Sequence, residues 1–149
     1  MDRVAVARST GSEIRIWGFG SFENAAALSW VESLEDADDL QMVEETLDEV
    51  LAADERGDVP DPSVSARAIA AAETVAALGE QPAKALPEEI RQWCFDNSSV
   101  DLDEAQPKAM HALGVILGES GLRDVLEDNG IAEDWESEVE ELRDRLRAG

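Results

Sequence analysis

The chain has one histidine and one cysteine, the side chains that most readily act as base and nucleophile at neutral pH. His111 follows Met110 on an apolar helical seam, and nothing in the sequence groups with it. It reads as a packed or half-exposed structural residue. Cys94 has no histidine near it in sequence, and its only basic neighbour is Arg91. Papain-like and tyrosine-phosphatase-like signatures are absent, so Cys94 reads as a buried thiol. One nitrogen and one sulfur ligand cannot complete a zinc site without carboxylates. Carboxylates abound, but Glu35-Asp36-Ala37-Asp38-Asp39 lacks the alternating ligands and central glycine of a calcium loop. Asp54 to Asp61 contains Gly57 without the twelve-residue ligand spacing. No phosphate-binding loop, dinucleotide fingerprint or G-x-S-x-G is present. These residues predict no catalytic group, no metal and no cofactor, and a protein that is not an enzyme.

Two settings remain in which a polar group is unusually placed. In Trp17-Gly18-Phe19-Gly20, bulky and minimal residues alternate ahead of a helix. Glycines there allow a tight turn with exposed amides, and a helix N-terminus beside such a turn can hold an anion. The favoured reading is instead a structural plug, with Trp17 and Phe22 closing the end of a helical core. Ser21 or Asn24 then caps the helix, which carries Ala27, Leu28, Val31 and Leu34 on one face and Trp30 on its flank. The second setting is Glu73, inside an alanine-rich helix, where an unpartnered carboxylate is costly. Glu73 is expected to accept bonds from the turn's amides or from the Trp17 indole, as a structural staple. Trp17, Gly18, Gly20, Phe22, Asn24, Trp30 and Glu73 are therefore the candidate binding residues.

The pattern Trp17-Gly18-x-Gly20-x-Phe22-x-Asn24, with Trp30 six residues on, resembles the opening of a prokaryotic family known as domain of unknown function 4259. Ala71-Ala72-Glu73-Thr74-Val75-Ala76-Ala77-Leu78 is similar to a later segment of the same family. Ala25 and Ser29 stand where that family usually has aspartates. The resemblance runs from Trp17 to about Leu146 and implies a small helical domain with no established chemistry.

The 149 residues include 35 acidic and 12 basic side chains, for a formal charge of -23. A surface so negative repels phosphate backbones and anionic bilayers, which predicts no nucleic-acid or membrane partner. Two readings of the charge stay open. One is solubility at high salt, where repulsion is screened within ~3 Å at 1 M. The other is a surface that meets a basic protein. The even spread of the acids favours the first. A lone cysteine forms no internal disulfide. No apolar run reaches the ~18 residues of a membrane span, and the chain reads as cytoplasmic.

The expected architecture is all-α, a single-domain bundle of about seven helices with a short N-terminal β-hairpin. Residues 1–16 form the hairpin or an extension, and 17–149 the helical domain. Val4 and Val6, then Ile14 and Ile16, alternate around a Ser-Thr-Gly-Ser turn. The second helix begins at Asp38-Asp39, with Leu40, Val43, Leu47, Val50 and Leu51 inward. Asp61-Pro62 caps and opens a third, which stops at Gly79. Its small residues make it the central helix. Pro87 opens a fourth, with Ile90, Trp93 and Cys94 inward. A fifth starts near Asp101 or Asp103 and ends at Gly118. Leu122 to Leu126 form a sixth, and Trp135, Val139, Leu142 and Leu146 mark the last, where Glu141 and Arg145 are spaced to pair.

The function these features suggest is a protein-interaction module for an unidentified partner, for example an inhibitor or antitoxin-like binder of a basic protein. The alternative is a ligand-binding or hydrolytic domain with its site at the Trp17–Asn24 turn. The oligomeric state is not encoded in any motif.

Overall fold

The computed structural model describes residues 15–148. Seven helices follow one another: α1 Ala25–Leu34, α2 Gln41–Glu55, α3 Pro62–Leu78, α4 Glu88–Asp96, α5 Ala105–Gly118, α6 Gly121–Asp128 and α7 Ala132–Ala148.

Side-chain oxygens begin three of them. Asn24 Oδ1 accepts from Ala27 N at 2.8 Å, and Asp61 Oδ1 from Val64 N at 2.9 Å, with Pro62 in the first turn. Ser120 Oγ accepts from Arg123 N at 3.1 Å. Each satisfies a backbone donor that the first helical turn cannot.

Helix α3 is the axis of the bundle and packs against every other helix. The cause is its alanines. Ala66, Ala68, Ala70, Ala71, Ala72 and Ala76 are all buried, and side chains this small leave room for neighbours on every side. Val43, Leu47 and Val50 of α2, Leu113 and Ile116 of α5, and Trp135, Val139, Leu142 and Leu146 of α7 fill the remaining space.

The start of α6 lies close against the start of α3. Gly121 N donates to the Pro60 carbonyl at 2.8 Å, and a Cβ on Gly121 would lie 2.6 Å from Pro62 Cδ. Only glycine fits between that proline ring and the helix. Arg123 then fastens α6 to its neighbours, donating to the Leu117 carbonyl at 2.6 Å and to Glu136 at 2.7 Å.

The β-hairpin requires correction. Among the described residues there is no strand. Ile16 makes one isolated antiparallel bridge to Asn24, with Trp17 N donating to the Glu23 carbonyl at 3.0 Å and Ala25 N to the Arg15 carbonyl at 2.8 Å. The tight turn at residues 18–22 folds the chain straight back, so residues 15–17 pair with 23–25. The proposed partner, Val4 and Val6, and Ile14 lie outside the described residues.

The α1 face also shifts. Ala27, Trp30, Val31 and Leu34 are buried and Leu28 is exposed. Trp30 takes the inward position because its indole N–H finds Thr46 Oγ1 at 2.8 Å across in α2, which satisfies the one polar atom that burial would strand. Trp93 does the same, donating to the Ala37 carbonyl at 2.8 Å.

Candidate functional site

The aromatic–glycine turn is assembled from its own carboxylate. Glu23 Oε1 accepts from Gly20 N at 2.9 Å. Its carboxyl group lies over both glycines, so that a Cβ on Gly18 or Gly20 would stand 2.5 or 2.7 Å from Oε1. The glycines leave room for this close approach, and the anion position beside Gly20 N is taken by the chain itself.

Beneath the turn lies the buried end of a charged network. Glu73 of α3 is 3% exposed. Ser21 Oγ donates to its Oε2 at 2.6 Å. Arg145 of α7 approaches with Nη1 at 3.0 Å from Oε1 and Nη2 at 3.3 Å from Oε2. The same guanidinium donates through Nη1 to the Gln81 carbonyl at 3.1 Å and through Nε to both Glu141 oxygens at 2.8 Å. Burial by itself would lower the Arg145 pKa, but the bonds to Glu73 and Glu141 outweigh it and raise it above the usual arginine value. This bidentate geometry is that of a charge-assisted fork.

Glu73 therefore ties the turn to the core through partners other than those expected. The Ser21 hydroxyl takes the place of the turn's amides, and Arg145 the place of the Trp17 indole. The amide of Gly20 is already bonded to Glu23, and Trp17 faces out, 58% exposed. Phe22 and Phe19 are half-buried against the core, Asn24 and Trp30 are buried, and Gly18 and Gly20 are half-buried. Trp17 thus does not plug the core. The hollow between the turn and α3, α6 and α7, bounded by Ile16, Phe19, Ile69, Leu126 and Trp135, holds about 10 Å³, close to the ~10–15 Å³ that a single water needs.

The other chemically capable residues stand apart from the turn. His111 is exposed on α5, not packed into its seam. Cys94 is half-buried, its Sγ 3.9 Å from the Thr74 carbonyl, and burial pushes the thiol up to about 11. Among the described residues no three His, Cys, Asp or Glu side chains are grouped so as to hold a metal ion, and no helix is long and apolar enough to cross a membrane. Among the described residues, seven basic side chains are engaged by carboxylates: Arg56, Arg67, Lys108, Arg123, Arg143, Arg145 and Arg147.

Sequence reasoning missed Arg145 as a partner of Glu73. The pair is 72 residues apart, and the only signal was that the arginines of the acidic α7, Arg143, Arg145 and Arg147, gather toward its end.

No curated protein and no solved structure matches this chain. A family model does, described as domain of unknown function (DUF4259) and matching residues 16–138, a span that opens at the Ile16 bridge, takes in the turn and Glu73, and ends within the first half of α7. The chain belongs to that family.

Proposed function

We propose that this protein is an interaction module that presents Trp17 on its aromatic–glycine turn to a basic protein partner. The observation that carries the reading is the exposure of Trp17 at 58% on a segment whose backbone is held on both sides. Trp17 N is bonded to the Glu23 carbonyl, and Ser21 is anchored to Glu73 and through it to Arg145. An indole displayed on a fixed turn loses little freedom on binding, which is the property of an interface anchor. A small-molecule site at the same turn has against it the size of the hollow, about 10 Å³.

The charge supports the choice of partner. Acidic side chains outnumber basic ones 35 to 12, and many of the basic ones are already paired internally. The surplus carboxylates of α2 and α7 face outward. Such a field speeds encounter with a cationic protein and discourages anionic ones. An inhibitor or antitoxin-like binder of a nucleic-acid-handling protein is one form of this, with carboxylates standing where phosphates would.

The test is a pull-down from native lysate with the wild-type chain and with Trp17→Ala, each at low and high salt. A basic protein retained at low salt, released at high salt and lost with Trp17→Ala is the expected result. Retention that ignores both salt and the substitution defeats the reading.

A further inference from the structure

We infer that this protein self-associates as a two-fold pair through the groove between the end of α3, residues 79–87 and α4, with Phe95 of each copy seated in the groove of the other. The groove encloses about 310 Å³ and is walled by Leu78, Pro82, Leu86 and Cys94. Phe95 stands on its lip, 78% exposed. The fold does not need it there, since Ile90 and Trp93 already supply the buried face of α4. A protruding ring directly beside a hollow is self-complementary, and a two-fold axis uses both features at once.

The charges in the groove fit a second copy better than a foreign basic chain. Its lining holds one acid, Glu80, and one base, Arg91, so the patch is balanced on a molecule that is otherwise strongly negative. Under two-fold symmetry, Arg91 of one copy meets Glu80 of the other. Glu80 carries a second sign of use. Its φ is +66°, and it is the one non-glycine with positive φ among the described residues. It follows the cap Gly79, and Gln81 N closes the helix end on the Ala76 carbonyl at 2.8 Å. That position usually belongs to glycine, because a Cβ is strained there. The chain instead keeps a carboxylate on the groove's edge.

Sedimentation of the whole chain over a concentration series, at ~0.1 M and ~1 M salt, tests this, because the screening length falls from ~10 Å to ~3 Å. Repulsion between two copies of charge -23 is screened at high salt, so the pair is expected to strengthen there. Phe95→Ala, at an exposed position, is expected to weaken it about thirtyfold, as removal of an anchoring aromatic does. Glu80→Gly separates fold from function. It is expected to raise the Tm of the dilute chain by about 1–4 °C while weakening the pair. A chain monomeric at every concentration in high salt, or a pair indifferent to either exchange, overturns the inference. None of these results bears on the basic partner proposed above, whose binding weakens with salt and is read at Trp17.

Discussion

Arg145→Met leaves the Glu73 carboxylate inside the bundle with the Ser21 hydroxyl as its only remaining side-chain partner among the described residues. Methionine preserves most of the arginine stem's packing, so the change removes mainly charge and hydrogen bonds. Glu73 and Arg145 side chains are 4% and 13% exposed, so water cannot replace what is lost. Breaking a buried pair from one side costs about 3–5 kcal/mol, most of it the uncompensated charge. For a chain of this size each kcal/mol is worth about 2–4 °C, so Tm is expected to fall by about 6–20 °C. Thermal unfolding followed by circular dichroism at neutral pH reads this directly. The double exchange Glu73→Met with Arg145→Met is the control. It removes both charges together and is expected to be less destabilising than Arg145→Met alone, a coupling that independent sites would not show. A Tm within about 1–2 °C of wild type for Arg145→Met, or a double variant that is simply the sum of the two single ones, would refute the claim that this pair clamps the turn to the core.

Other outcomes follow from the same geometry. Gly121→Ala places a methyl 2.6 Å from Pro62 Cδ. The proline ring cannot swing aside, so a loss of about 1–3 kcal/mol is expected in denaturant unfolding. Cys94, with its thiol raised from 9.0 to about 11 by burial, is expected to alkylate about a hundredfold more slowly at pH 8 than a free thiol, and at the free rate once unfolded. The fold favours the protonated thiol. Its contribution to stability is therefore full below pH 9, declines as pH rises toward about 11, and is absent from Cys94→Ala over the same range. Ser21→Ala removes the 2.6 Å bond to Glu73 and is expected to cost about 1–2 kcal/mol by the same unfolding measurement.

What the sequence determined by itself was local. Asp61-Pro62 announces the start of α3, because a capping oxygen and a fixed φ act within one turn. The spacing of Trp135, Val139, Leu142 and Leu146 announces the buried stripe of α7, because helical periodicity depends only on neighbours along the chain. The run of alanines made α3 the axis, since only the smallest side chains let six helices approach one. The glycine turn ahead of α1 was legible for the same reason, although the carboxylate that bonds to it, Glu23, was not singled out.

The tertiary structure decided which groups meet. Periodicity put Leu28 on the buried face and Trp30 on its flank, whereas the fold buries Trp30, whose indole N–H meets the hydroxyl of Thr46 on another helix, and leaves Leu28 exposed. The composition of α3 showed that Glu73 needed a partner. Only the packing of α7 against α3 could supply Arg145, because that contact joins residues far apart in the chain and leaves no spacing to read. Trp17 looked like core by residue type. It stays outside, 58% exposed, above a hollow of only about 10 Å³ walled by Phe19, Ile69 and Trp135, which has no room for an indole. Residue type sets what a side chain prefers, and the geometry of its neighbours sets whether that preference can be met.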